Sequence, residues 1–272
     1  MFDYEFMVRA FVAASVVGIA APLVGIYLVQ RRLSLLGDGI GHIALTGIGV
    51  ALLTNTAPLW GAMIAAVIGA VLVEWLRLKS KLAGDTALSL LFYGGIAGGV
   101  LLTSMAAGAS STSLTAYLFG SLTTVSSADL IAVLILGLCI LLTVATLGRQ
   151  LTNVSVDPEH GHVQGLSVRG LSLVLAILSA VTVTVGMRAV GLLLVSAIMV
   201  VPVVAAQRVA KSFFQTAILS SLLGWISAAA GLTISYYVDV PPGSTIVLFA
   251  LAVFVLVATL GAIFTKLRKE PR

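Results

Sequence analysis

The chain has 272 residues, of which 60% are hydrophobic and only 9% charged, with a formal net charge of +5. A soluble domain carries about a quarter charged residues, so this chain lacks the polar material to cover a water-facing surface. A positive balance can mark a nucleic-acid partner, but the placement of the basic residues accounts for it as membrane topology, and no nucleic acid is expected.

Apolar runs of bilayer-spanning length, about 20 residues each, fill nearly the whole chain. The first covers 6–29. Asp3 and Glu5 precede it, where a cleaved signal peptide carries basic residues, and the run exceeds a signal core, so it reads as a retained first helix. Further runs cover 36–54, 59–76, 86–105, 129–148, 171–187, 189–207, 213–236 and 245–265, nine in all. Only a short turn around Gly186 and Arg188 parts 171–187 from 189–207, which leaves open that one of the two is a half-helix. No stretch remains for a soluble domain, so 1–272 reads as one transmembrane domain, an all-α polytopic bundle. With the N-terminus outside, Arg31, Arg32, Arg77, Lys79, Lys81, Arg149, Arg169, Arg208, Lys211, Lys266, Arg268, Lys269 and Arg272 all fall inside. That places 13 of the 15 basic residues in the cytoplasm and leaves Arg9 and Arg188 outside. Basic residues gather in cytoplasmic loops, so the N-terminus is expected outside and the C-terminus inside, as an odd number of spans requires.

Two loops stand out. The outer loop 106–128 is rich in Ser, Thr, Gly and Ala around an apolar island at Leu114 and Ala116-Tyr117-Leu118-Phe119. It suits either a short surface helix that meets a partner or a solvated connector. Asp129 reads as the N-cap of the fifth span. On the cytoplasmic side, Asp157 before Pro158 is an N-cap followed by a proline at the first helical position. Gly165 suits the helix end, which predicts about two turns over Pro158–Gln164. His160 and His162, two residues apart, do not share a helix face and read as solvated. Glu74 and Asp85 belong to a charged cytoplasmic interface, and Asp239 to a turn before Pro241-Pro242-Gly243. The single Cys139 excludes an internal disulfide and reads as a small buried hydrophobe. The pairs Gly94-Gly95 and Gly98-Gly99 predict close helix packing.

The segment 31–53, RRLSLLGDGIGHIALTGIGVALL, carries the chemistry. Asp38 and His42 lie four residues apart, hence on one face of a helix. An ionised Asp in a bilayer costs on the order of 3 kcal/mol, so it must face a cavity, a partner or an ion. A carboxylate oxygen and an imidazole nitrogen suit a first-row divalent metal. Pairing of Asp38 with Arg31 or Arg32, with His42 bonding the carboxylate, satisfies the same groups. Gly37, Gly39 and Gly41 thin the helix and admit a close neighbour. Two ligands leave a zinc site incomplete, so water, carbonyls, other helices or a second copy must supply the rest. No GxxxxGK[ST] phosphate loop and no catalytic Ser/His/Asp or HExxH grouping is present, so the chain reads as non-enzymatic.

These residues give a resemblance. RRLSLLGDGIGHIALTG, DTALSLLFYGG, AYLFGSLTTVS, VDPEHGHVQGLSV, VGLLLVSAIMVVPVVAA with its internal Pro202, and DVPPGSTIVL together resemble the zinc/manganese permease family of ABC importers. That family is similar in architecture to the vitamin B12 and siderophore permeases, with about eight or nine spans. The resemblance implies a homodimer of permeases in the bacterial cytoplasmic membrane, driven by two cytoplasmic ATPase subunits and supplied by an extracytoplasmic metal-binding protein. It implies ion contact at Asp38 and His42 and ATPase coupling through about 153–168, with Asp157, Pro158, Glu159 and Gly165 in that segment. It implies zinc as cargo ahead of manganese or iron, and no resident cofactor. Gly161 departs from it, since a better helix former is expected there. A proton- or sodium-coupled carrier would show several intramembrane acids or inverted repeats, and neither is visible.

Overall fold

The computed structural model describes residues 4–79, 84–106, 118, 120 and 126–269, with only the backbone followed at 78, 79, 84, 85, 188, 189, 193 and 262–269. Among these residues every regular element is helical. In chain order they are α1 (Glu5–Gln30), α2 (Leu36–Leu53), α3 (Pro58–Lys79), α4 (Gly84–Met105), α5 (Ser127–Val156), α6 (Pro158–Val163), α7 (Val168–Val190), α8 (Leu192–Gln207), α9 (Phe213–Val238) and α10 (Pro242–Lys269). Eight of them are long and apolar enough to cross a membrane. Most of the apolar island of the outer loop, and the side chain of Asp85, lie outside the described residues.

α8 has only 16 residues, about 24 Å of helix, less than a bilayer core. It runs back along α7. A Cβ on Gly186 would lie 2.7 Å from Val195, whereas nine residues of continuous helix would separate them by about 13 Å. The chain therefore reverses at Gly191, whose φ of 93° favours glycine. Gln207 at the end of α8 lines a cleft with Gln30 at the end of α1, Val156 at the end of α5 and Phe213 at the start of α9. Among the described residues α8 is thus a short return helix beside the eight of span length. The basic residues Arg31, Arg77, Arg149, Arg169, Arg208 and Lys211 sit around the end that also holds α6.

Helix ends follow from local chemistry. α1 closes with a Schellman arrangement: Leu33 N–H donates to Leu28 O at 2.8 Å and Arg32 N–H to Val29 O at 3.1 Å, with Arg32 left-handed at φ 58°. α6 closes in the same way through Gly165 at φ 75°. The N-cap of α5 is Ser126 rather than Asp129. Ser126 Oγ accepts from Asp129 N–H at 3.1 Å and the Asp129 carboxylate accepts from Ser126 N–H at 3.1 Å, a capping box that puts the acid at the third helical position. α5 also runs eight residues beyond the expected 148, because nothing breaks it before Asp157. There the following Pro158 restricts the backbone, which turns extended at φ −143°.

Glycines set the helix crossings. A Cβ on Gly25 would lie 1.7 Å from the Met199 carbonyl oxygen of α8, and one on Gly47 2.2 Å from the Gly61 carbonyl of α3. Gly18 of α1 and Gly224 of α9 meet in the same way. Cys139 is exposed on α5, contrary to the buried position expected for it. Its neighbours Leu138, Leu141 and Leu142 are exposed as well, since a lipid-facing surface is as apolar as a core.

Candidate metal path and coupling helix

α2 is gripped from two sides. On α8, Leu192 occupies the space that a Cβ on Gly41 would need, and Ser196 lies beside Gly37. On α4, a Cβ on Gly95 would meet the His42 carbonyl carbon at 2.7 Å, and Gly99 approaches Leu45. Thr46 Oγ1 donates to the Gly95 carbonyl at 2.9 Å. Of the predicted glycine pairs, Gly95, Gly98 and Gly99 pack on α2, while Gly94 faces open space. These contacts leave Asp38 and His42 half-buried on the remaining face.

Asp38 borders two cavities. One, of about 600 Å³, lies between α2, α8 and the first turns of α10, with Asp38, Ser196, Val200, Ser244 and Leu248 in its wall beside Leu118 of the outer loop. The second, of about 220 Å³, lies toward α4 and is lined by Asp38, Leu88, Ser89, Phe92 and Tyr93. Asp38 belongs to both. One turn on, the His42 ring meets Phe92 edge to face, with centroids 4.6 Å apart and planes at 83°. His42 Nδ1 is buried without a hydrogen-bond partner.

The pairing alternatives are not realised. Among the described residues Asp38 forms no ion pair with Arg31 or Arg32. Arg31 Nη2 instead donates to Ser172 Oγ at 2.9 Å. Glu74, expected in a charged interface, is 5% exposed and accepts from Arg77 Nη1 at 2.9 Å. Asp38 thus offers a carboxylate oxygen to both cavities, and His42, which lines neither, holds a buried ring nitrogen one turn away; the two residue types make a donor pair for a dication. Among the described residues no group of three Asp, Glu, His or Cys forms, so none of them adds a third such ligand to the pair. Sequence reasoning missed Phe92 and the Arg31–Ser172 bond. The FYGG run held Phe92, but an aromatic in an apolar span carries no polar signal.

At the cytoplasmic end Asp157 Oδ1 accepts from the N–H groups of Glu159 and His160, each at 3.0 Å. The structure therefore has the capped helix expected at Pro158–Gln164, ending at Val163. Gly161 is its one buried residue, and a Cβ there would lie 3.1 Å from Val154 of α5. The absence of a side chain lets α6 lie against α5. His160 Nε2 accepts from the Gln164 amide at 2.8 Å, and Gln164 Oε1 accepts from Asn153 at 3.0 Å, so His160 and His162 do not converge. Val163 is 85% exposed.

Residues 3–261 match the family model described as the ABC 3 transport family. The chain is 31% identical over 254 residues to the manganese import system permease protein ScaB of Streptococcus gordonii, covering 93% of this chain and 91% of the relative. It is 32% identical over 255 residues to the chelated iron transport system membrane protein YfeD of Yersinia pestis, covering 94% and 85%. Among solved structures, PsaBC from Streptococcus pneumoniae in complex with Fab superposes with a TM-score of 0.83 at 30% identity, over 93% of this chain and 91% of that one. Eight span-length helices and these relatives make the protein a multi-pass component of a bacterial cytoplasmic membrane. From residue 3 to residue 261, the chain belongs to the ABC 3 transport family.

Proposed function

We propose that this chain is the membrane-spanning permease of an ATP-driven importer of divalent first-row metal ions, with Asp38 and His42 touching the ion in transit. The single observation that carries the reading is Asp38 in the wall shared by two cavities, with the unpartnered His42 Nδ1 one turn away in a membrane span. A buried, unpaired nitrogen beside a carboxylate in hydrocarbon is costly unless an ion or water visits it. Family membership adds the transport role, and hydrolysis of ATP belongs to a separate subunit. The family resemblance puts zinc first, whereas relatives named for manganese and for chelated iron support those ions at least as well.

Two copies of the chain complete the transporter in this reading, and the ligands that one copy lacks come from water, carbonyls or the second copy. A pair of ATPase subunits seats on α6, where Asp157, Pro158, Glu159 and Gly165 shape a rigid helix and Val163 presents an apolar contact to the cytoplasm. A metal-binding protein delivers the ion at the outer mouth. The test is reconstitution of the chain with its ATPase and binding protein in liposomes, followed by radioactive zinc, manganese and iron. ATP-dependent accumulation of at least one ion is expected. Accumulation of none, with ATP hydrolysis intact, would sink the reading.

A further inference from the structure

Arg31 caps the end of α1, and Asp38 follows seven residues later in the first turn of α2. The guanidinium reaches across the bundle to Ser172 Oγ, 141 residues away in sequence, at 2.9 Å. Ser172 is 5% exposed and lies in the second turn of α7, the helix that directly follows α6. From α3, the buried Glu74 carboxylate attracts Arg31 while bonding Arg77. None of these contacts is needed to finish a helix. The α1 end is closed by backbone bonds to Leu28 and Val29, and α7 is capped by Ser167, whose Oγ accepts from Gly170 N–H. The turn carrying Arg31 is defined by Arg32 in the left-handed region, which is uncommon for a residue with a Cβ. A part-buried charge–hydroxyl bond between two helices can pass displacement from one to the other, which an exposed ion pair on flexible stems does poorly.

We propose that Arg31, bonded to Ser172, is the positioning residue that links movement of α6 to the position of Asp38. Displacement of α6 by the ATPase shifts the first turns of α7. Ser172 carries Arg31 with it, the turn 31–35 follows, and Asp38 moves relative to the cavity walls on α8 and α10. This inference rests on the proposed permease function.

The experiment compares wild type, Ser172→Ala, Ser172→Thr and Arg31→Gln, each assembled with the ATPase and binding protein in liposomes. Metal uptake and ATP hydrolysis are measured on the same vesicles. Ser172→Ala and Arg31→Gln are expected to keep hydrolysis within about twofold of wild type while ions moved per ATP fall about tenfold. Ser172→Thr keeps the hydroxyl and should recover most of the coupling. A merely structural role would lower hydrolysis and uptake in proportion, and that result, or unchanged coupling in Ser172→Ala, overturns the inference. If Arg31→Gln fails to assemble, Ser172→Ala decides alone. A wild-type complex that hydrolyses ATP without moving any metal overturns the permease reading and this inference with it.

Discussion

His42 keeps a ring nitrogen buried and unpartnered, an arrangement that costs about 1–3 kcal/mol when nothing visits it. Phe92 stabilises that geometry by holding the ring edge to face. Aromatic pairs contribute about 0.5–1.5 kcal/mol beyond burial, so Phe92→Ala should free the ring and lower uptake at limiting metal by roughly three- to tenfold. Uptake curves over a range of metal concentrations, with the amount of assembled complex measured in parallel, check this. A wild-type curve would show that Phe92 does not position the ring. Asp38 and His42 were legible because polar groups in an apolar span stand out. Phe92 and Ser172 were not: one is apolar among apolar residues, and the other meets its partner only through tertiary contact. Cys139 misled for a related reason, since apolar neighbours do not distinguish a core from a lipid face.

At the scale of elements, the crossings of α1, α2, α3 and α9 depend on backbone approaching backbone, where no rotamer change can relieve a clash. Gly25→Ala places a methyl against the Met199 carbonyl and should destabilise the bundle by about 1–3 kcal/mol, read as a lower melting temperature of the detergent-solubilised chain. Gly94→Ala, which meets nothing within 4 Å, should leave melting unchanged or raise it. Equal effects of the two substitutions would contradict the packing described. In α6, Asp157→Ala removes the acceptor of two N–H groups, a loss of about 1 kcal/mol of helix stability. The fraction of ATPase co-purifying with the permease should fall, and unchanged co-purification would remove α6 from the coupling interface. The existence of these helices was plain from apolar length and from the Asp-Pro…Gly punctuation. The extra turns of α5 and the tight fit of glycine at 161 were not, because both are set by what the segment packs on: a Cβ at 161 would crowd Val154 at 3.1 Å.

For the whole molecule, orientation rests on the 13 basic residues that the sequence places in cytoplasmic segments, with Arg31, Arg77, Arg149, Arg169, Arg208 and Lys211 at the α6 end. In a Cys139→Ser background, Lys269→Cys should react with an impermeant maleimide only after the cells are opened. Labelling of intact cells would invert the topology and place α6 outside, away from any ATPase. With the N-terminus outside, the larger cavity runs from the outer ends of the helices, at Leu118 and Ser244, to Asp38, and the smaller one continues toward Phe92. In the proposed reading the ion meets one carboxylate and one imidazole per chain, enough to strip part of its water and too few to trap it. The most direct test of that path is metal uptake by cells carrying wild type, Asp38→Asn or His42→Ala, normalised to assembled transporter. Asp38→Asn keeps the shape and one oxygen but removes the charge, and His42→Ala removes a donor, so both should abolish uptake with the complex intact. Uptake near wild type in both variants would contradict an ion path through Asp38 and His42.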